Sequence, residues 1–438
     1  MKLPRVLLLV CIALSLSLFP QGTLKAGSTD REIQELKEEI KRLQKRVEEL
    51  EKKRAEEERA RQELEAKGKE TEEKISLMRR YIDRRIERFS LFPSSKLFIT
   101  GYGSFDFVNP KGEPSTFATS VFPIFHYAVG DRTHFIIEPE IELEEDEVDF
   151  GLEIGELDFF LNDYLTLVAG KFLLPFNVFS ERLHPSWINK MPAPPIIYGH
   201  GHDGGGIVPV LSDIGIQLRG GAPLPLFKGS KINYAIYLVN GPRISEEEHV
   251  EEGVEGETHA EENHVEEAEE NHREVELEFG RNFTDINSNK AFGGRVGILP
   301  VWNMEIGASI MHGEADGNVD FTLIGFDGEY HLKGLELRGE FIRLEHDTDE
   351  GDEDTNGFYL QGAYRLSGIS LANEWLQRHI NRLEPVIRYG KIFKTGDDIS
   401  QVALGIDYWI LPSFPIKIAY EFNDGIADRF LVQLALGF

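Results

Sequence analysis

Residues 428–438, DRFLVQLALGF, alternate between apolar side chains and mostly small or polar ones. Because successive side chains of a β-strand point to opposite faces, one face of this stretch would carry only Phe, Val and Leu from Phe430 onward. The preceding segments 401–410 and 414–422 alternate in the same way. Strands of about ten residues with one apolar and one hydrated face are typical of β-barrels that span a lipid bilayer. A large soluble sandwich or barrel, with its apolar face turned inward, is the alternative.

Sixteen segments of this kind can be traced within 96–438, which predicts an all-β transmembrane barrel of about 16 antiparallel strands. An even number places both ends of the barrel on one side of the membrane, the periplasmic side. Short turns alternate with long connections, and the long ones at 174–211, 241–289 and 346–355 are expected outside the cell. Segment 367–382 is interpreted as an insert outside the barrel, in which residues 371–380 could form a periplasmic helix or a member of a strand pair. The predicted strands are 96–108, 118–128, 132–143, 147–161, 164–173, 212–220, 231–240, 290–299, 302–313, 320–332, 334–345, 356–366, 383–394, 399–411, 413–423 and 427–438.

Residues 1–26 have the features of a secretory signal peptide. Lys2 and Arg5 precede an apolar run at 6–18, and small and polar residues follow. The run is too short to cross a membrane comfortably as a helix, so we expect cleavage at the end of the segment. The only cysteine, Cys11, lies inside it, and the mature chain would contain no disulfide bond and no cysteine metal site.

A heptad pattern predicts a long N-terminal α-helical coiled coil at 29–89, in the periplasm. Thr29 and Glu32 fit a capping box that begins a helix. Positions a and d then carry mainly Ile, Val and Leu in one register, which continues through a polar middle. β-branched residues at a with Leu at d are typical of two strands, whereas the flanking Arg46 and Glu51 resemble a trimer-specifying arrangement. Dimer and trimer both remain open on these residues.

The chain is strongly acidic, with a net charge of −29 at pH 7, which argues against nucleic acid as a partner. Within the segment 245–279, sixteen Glu accompany one Arg. Few apolar residues and strong self-repulsion predict a disordered, solvated extracellular insert. The carboxylates and histidines of this insert could also gather divalent cations weakly, or the insert could bind a specific partner.

Six histidines are candidate metal ligands, because imidazole suits transition metals. Two of them flank a glycine just before a Gly-rich run in the connection 174–211, and four are spaced through the acidic insert. A hydrated loop tip is the alternative for the first pair. The candidates are His200, His202, His249, His259, His264 and His272. The sequence predicts no cofactor.

Several short motifs follow one another along 96–438. They are GKFLLPF at 170–176 with Arg182, the segment 234–241, the residues 285–287 with Lys290, RVGILP at 295–300, PVIRY at 385–389 and Phe438. In this order they resemble the phosphate-selective porins (O and P) of the bacterial outer membrane, and the final aromatic resembles the sorting signal of outer-membrane barrels. The resemblance implies a homotrimeric, sixteen-stranded pore in outer-membrane lipid whose third outer loop, here 174–211, folds inward as a constriction.

If the apolar faces contact lipid, the other parity lines a water-filled pore. Its charges are mixed, with acids in excess, and many of them could pair across neighbouring strands. A phosphate pore needs a dense run of cationic side chains, which this sequence lacks, so strong phosphate selectivity is not expected. The candidates for the pore and its constriction are Lys171, Arg182, His184, Lys190, Arg219, Arg295, Arg338, Arg388, Glu138, Glu140, Glu329 and Glu340.

The sequence therefore predicts an outer-membrane porin for passive diffusion of small hydrophilic solutes or ions, neutral to cation-preferring. The alternative is a structural barrel protein that tethers the envelope through its coiled coil. An enzyme is not expected, because the chain has neither a Gly-x-Ser-x-Gly nor a His-Glu-x-x-His motif.

Deletion of residues 29–89 separates the porin from the tether. For a porin, uptake of small hydrophilic solutes by cells that carry the deletion should match uptake by cells with the full chain, and the outer membrane should stay attached. Unchanged uptake together with increased release of outer-membrane vesicles would instead show that the coiled coil acts as the tether.

Overall fold

The structure is a computed structural model that describes most of the chain from Lys96 onward. Described residues between 38 and 52 are helical. The predicted signal peptide, the rest of the predicted coiled coil and the six candidate histidines lie outside the described residues. The residues that the structure describes are 38, 41–46, 49, 52, 96–144, 147–199, 206–227, 229–245, 276–280, 288–315, 319–348, 351–369, 372–394 and 398–438.

Sixteen strands of the described residues form a closed antiparallel barrel, and two short strands form a separate ribbon. The strands are β1 (Leu97–Pro110), β2 (Thr116–Val129), β3 (Thr133–Glu144), β4 (Glu147–Asn162), β5 (Leu165–Leu173), β6 (Ser212–Pro223), β7 (Lys231–Val239), β8 (Arg243–Ser245), β9 (Glu276–Glu278), β10 (Ala291–Val301), β11 (Met304–Ala315), β12 (Val319–Leu332), β13 (Leu335–Thr348), β14 (Gly351–Tyr364), β15 (Leu383–Phe393), β16 (Ile399–Leu411), β17 (Phe414–Asp424) and β18 (Arg429–Gly437). Each predicted segment corresponds to one barrel strand, so the predicted barrel is confirmed.

The barrel closes by pairing its first strand with its last. β1 pairs with β18, and Phe105 lies opposite Leu434 in that register. All other barrel strands pair with their neighbours along the chain, except that β7 pairs with β10 and leaves the ribbon β8–β9 outside the barrel. Closure leaves no sheet edge, as a lipid environment requires of a spanning sheet.

The strands turn their apolar faces outward. On β18, the even-numbered Leu434 and Leu436 are 38% and 42% exposed, whereas the odd-numbered Gln433 on the same strand is 3% exposed. On β17, Ile418 is 44% exposed and the neighbouring Lys417 is fully buried. The soluble alternative, with the apolar face inside, is therefore wrong for these strands.

A β-bulge changes the parity of β4. Glu138 on β3 pairs with Ile154, but the next residue of β3 pairs with Leu152, so Glu153 is the extra residue on β4. Before the bulge the even-numbered apolar residues face outward, and after it the odd-numbered ones do, for example Leu157. The sequence shows the same change of parity within the predicted strand 147–161.

The insert 367–382 contains a short helix, α1 (Glu374–Ile380). Of the two predicted alternatives, the structure therefore agrees with the helix. The side chain of Asn373 accepts hydrogen bonds from the amides of Trp375 and Leu376, which caps the helix. A single 3-10 turn, Leu366–Gly368, precedes it. No helix in the described part of the chain is long and apolar enough to cross a membrane.

Two predicted loop boundaries are corrected. The acidic segment 346–355 is mostly a hairpin, because β13 continues to Thr348 and β14 begins at Gly351. Near its tip Arg343 pairs with Asp354 at 3.0 Å, which offsets part of the acid repulsion. In the predicted insert 245–279, the last residues form β9 and pair with β8.

The outward parity can be tested with two isoleucines of β11 that are equally exposed, Ile310 at 51% and Ile306 at 50%. Ile310 lies in the middle of the strand and Ile306 near its short-turn end. Ile310→Arg should destabilise the barrel in lipid by roughly 2–4 kcal/mol, and Ile306→Arg by about 1 kcal/mol or less, because the cost of a charge on the lipid face falls towards the interface. Urea unfolding in lipid vesicles measures both, and equal costs would contradict a bilayer around β11.

Candidate functional site

The connection between β5 and β6, residues 174–211, is called the inner loop below. Its described residues contact inward-facing side chains on the far wall of the barrel. The amide of Phe179 donates a hydrogen bond to Glu340 Oε1 on β13 at 2.8 Å. Arg388 on β15 donates to the carbonyl oxygen of Ala193 at 3.0 Å. The inner loop therefore crosses the inside of the barrel and narrows the passage through it.

An apolar core inside the barrel holds the inner loop against the half of the wall that lies towards the long connections. Phe176, Phe179 and Ile197 of the inner loop are at most 1% exposed, and full burial of such a side chain contributes roughly 1.5–3 kcal/mol. The sequence predicted that the inward face of every strand is hydrated, and this is wrong for part of the barrel. On β7 and β10–β16 the inward face is apolar near the strand ends that carry the long connections. The inward-facing members of this core are Tyr237, Val239, Ala291, Met311, Phe321, Leu323, Ile342, Leu344, Tyr359, Ile392 and Ile399.

The strand that leads into the inner loop contains a position that requires glycine. Gly170 has a φ of +126°, and a Cβ there would lie 2.1 Å from the carbonyl oxygen of Gly155. Residues with a side chain rarely adopt this φ. The close approach of β4 and β5 at this point explains why the motif around 170–176 begins with glycine.

Lys417 on β17 fixes the middle of the inner loop. Its ammonium donates hydrogen bonds to the carbonyl oxygens of Ser186 and Asn189, the latter at 2.6 Å, and to Gln433 Oε1 at 2.7 Å. Its cross-strand neighbour Asp407 is 1% exposed and supplies a buried opposite charge. The sequence placed Lys417 on the inward face without marking it as a site residue, because its carbonyl partners lie 231 and 228 positions away.

Three of the predicted basic residues meet around one cavity of about 320 Å³. They are Arg182 of the inner loop, Arg219 on β6 and Arg295 on β10. Arg182 and Arg295 both pair with Glu305, at 3.0 and 2.9 Å, and Arg219 pairs with Asp158 at 3.0 Å. Carboxylates in the wall thus offset these positive charges.

The other basic candidates of the wall and the inner loop also have acidic neighbours. Lys171 is 9% exposed and close enough to Glu153 on β4 to interact with it electrostatically. The remaining pairs are Lys190 with Glu384 at 3.2 Å, Arg338 with Glu336, and Arg388 with Glu421 at 3.2 Å. None of these residues, within the part of the chain described, belongs to a run of cations that would favour an anion.

His184 of the inner loop is placed by two hydrogen bonds. Its Nδ1 lies 2.6 Å from the carbonyl oxygen of Ser180, which only accepts, so Nδ1 carries the proton. Its Nε2 then accepts from the Tyr102 hydroxyl on β1 at 3.2 Å. Burial lowers the pKa of His184 to about 4, although the bond to Ser180 opposes this shift. The imidazole is therefore neutral at physiological pH and positions the inner loop without adding charge.

The four acidic candidates fall in different places. Glu340 is buried beneath the inner loop, and Glu329 lies near the short-turn end, 4.0 Å from His331. Glu138 and Glu140 share the inward face of β3, and Glu138 is only 3% exposed. Across the described ranges, no group of three or more Cys, His, Asp or Glu is arranged to hold a metal ion.

Comparison with known proteins gives likenesses of fold. No protein-family model matches the chain, and no curated protein matches it. The anion-selective porin from Comamonas acidovorans is similar with a TM-score of 0.48 and 14% identity, over 79% of this chain and 100% of that one. OmpF of Salmonella typhi in complex with daunomycin is similar with a TM-score of 0.49 and 11% identity, over 78% of this chain and 98% of that one. The outer membrane channel DcaP of Acinetobacter baumannii is similar with a TM-score of 0.46 and 10% identity, over 78% of this chain and 97% of that one.

Replacing Lys417 tests how the inner loop is held. Lys417→Met should lower the free energy of unfolding by about 3 kcal/mol, because buried carbonyls lose their charged donor and Asp407 loses its opposite charge. Urea unfolding in detergent micelles measures this loss. Lys391→Met is the matched control, because Lys391 pairs with the more exposed Asp398 near the barrel rim. Equal stability of the two variants would contradict the assigned role.

Proposed function

We propose that the chain is an outer-membrane porin through which small hydrophilic solutes or ions diffuse passively. The observation that carries this proposal is a closed sixteen-stranded barrel that is apolar outside and charged inside. Every strand of the barrel has two neighbours, so its backbone is paired within the sheet, and the exposed outer face suits hydrocarbon. A barrel of this size is wide enough to enclose a passage.

The inner loop is the proposed constriction. It contacts the wall through Lys417, Glu340 and Arg388, and an apolar core fills the space between it and the outer half of β10–β16. Passage is therefore limited to the space beside the inner loop. A fixed narrowing of this kind selects by size and by the charges along the remaining wall.

Strong selectivity for phosphate is not part of the proposal. Arg182, Arg219 and Arg295 line one cavity, where a phosphate-binding cluster would be expected, but each pairs with a carboxylate of the wall. An anion that entered would have to compete with those carboxylates. The resemblance to phosphate-selective porins thus supports the architecture more than the solute.

The proposed setting is a homotrimer in the bacterial outer membrane. β1 begins and β18 ends at the barrel end that carries the short turns, which supports a periplasmic location for the segment preceding β1. The coiled coil predicted at 29–89 would then lie in the periplasm and help to associate three chains.

Planar-bilayer recording tests the proposal. The purified full chain, added to a lipid bilayer, should insert as discrete conductance steps, and closures in thirds of a full step would support a trimer. The protein should first be shown to be folded by its strand-rich circular dichroism. Absence of steps from folded protein would end the porin proposal.

A further inference from the structure

The short helix α1 contacts the outer face of the barrel, at the end that carries the short turns. The His379 ring stacks on Tyr408 of β16 with 5.9 Å between the ring centroids, and His379 Nδ1 lies 2.7 Å from the Tyr408 hydroxyl. Tyr408 faces outward, because its neighbours Asp407 and Trp409 are buried on the inward face. The connection between β14 and β15 therefore folds over the rim onto the outer side of the barrel.

The helix α1 is amphipathic, and its apolar side is the one turned towards the barrel. Successive residues of an α-helix are about 100° apart around its axis, which places His379 in the middle of the apolar side. The apolar side also carries Trp375, Leu376 and Ile380, and the polar side carries Glu374, Gln377 and Arg378.

The barrel covers only part of this apolar side. Trp375 is 65% exposed and Leu376 is 48% exposed, although both flank the residue that contacts the wall. Ile369 is a further exposed apolar residue, at 38%, and its carbonyl oxygen accepts a hydrogen bond from Gln377 Nε2 at 2.7 Å. The protein thus leaves a group of large apolar side chains uncovered on the outer side of its rim.

The neighbouring wall indicates what covers these side chains. Towards the middle of β16, Leu404 and Ile406 lie on the same face as Tyr408, are 47% and 40% exposed, and belong to the outward surface that suits hydrocarbon. Aromatic residues are characteristic of the boundary between hydrocarbon and water around spanning barrels. Trp375, whose ring centroid is 4.4 Å from that of His379, lies beside Tyr408 at this boundary. The uncovered apolar side of α1 therefore continues the surface that contacts lipid.

The charge of this segment fits lipid phosphate. Residues 373–382 contain two arginines and one glutamate, in a chain whose net charge is −29. Arg378 is exposed on the polar side of α1, and a long arginine side chain can reach the phosphates while its helix lies in the boundary. An amphipathic helix with Trp and Leu on one side and a basic residue on the other is typical of binding to a lipid surface.

We propose that α1 is an interfacial helix that binds the phospholipid leaflet around the short-turn end of the barrel. Trp375 and Leu376 enter the headgroup region, and Arg378 contacts lipid phosphate. The helix thereby anchors the β14–β16 side of the barrel at the membrane boundary. This inference rests on the proposed function, because it requires a bilayer around the barrel.

Spin labels on single cysteines test the proposal in the full chain, in which Cys11→Ser leaves each label at one site. The folded protein is reconstituted in vesicles of phosphatidylethanolamine and phosphatidylglycerol. The accessibility of each label to oxygen, which enters hydrocarbon, is compared with its accessibility to a water-soluble nickel chelate. The resulting depth should place a label at Leu376→Cys about 5–10 Å into the headgroup boundary. A label at Glu374→Cys, on the polar side of the same helix, should lie in water.

A label at Ile310→Cys, on the outward face of β11, is the reference for the bilayer. If this label is in hydrocarbon but the label at Leu376 is in water, the interfacial helix is overturned and the barrel in lipid stands. A label at Leu376 that is shielded from both reagents would also overturn it, because a second copy of the chain or another protein would then cover α1. A label at Ile310 without access to oxygen would instead overturn the bilayer around the barrel, and with it the proposed function.

Tryptophan fluorescence gives a second measurement that needs no cysteine. Lipids brominated near the headgroup quench a tryptophan that lies among them. Trp375→Phe should therefore remove part of the quenched emission of the full chain, whereas the control Trp187→Phe, in the inner loop, should remove none. An equal effect of the two replacements would contradict the position assigned to α1.

Discussion

The structure depends on one constraint, that a backbone in contact with hydrocarbon must satisfy its hydrogen bonds within the protein. The pairing of β1 with β18 removes the last open edge of the sheet. Closure then divides every strand into an outward and an inward parity. Outward side chains such as Leu404 and Leu434 face lipid, and inward ones such as Lys417 and Gln433 have to find partners across the enclosed space. The inner loop supplies many of those partners.

Strand number, strand position and outward parity could be read from the sequence, because a period of two is a local signal that lipid makes unusually clean. The bulge at Glu153 also corresponds to a change of parity in the sequence of β4. The packing of the inner loop was not accessible in the same way. Apolar residues of both parities at the start of β12, such as Phe321 and Ile324, hint at it, but which loop covers them depends on distant contacts.

The candidate site was only partly predictable for the same reason. Parity predicted Arg295 and Glu138 on the inward face, and the loop 174–211 was the reason to expect Arg182 near the constriction. Their partners, however, are set by the register of neighbouring strands and by the path of the inner loop. Arg295 reaches Asp327 two strands away, and Lys417 reaches carbonyls of the inner loop. Counting acids and bases along the sequence therefore says little about which charges a solute would meet.

The register also determines what remains to act on a solute. From β11 to β17 it aligns Glu305, Glu329, Arg338, Gln361, Arg388, Ala403 and Glu421 side by side across the wall. Three acids and two bases share that line and partly offset one another over a few ångströms, so their field fades quickly in salt. The potential inside this barrel is therefore set by which strands the register brings together, and the net charge of the chain does not describe it.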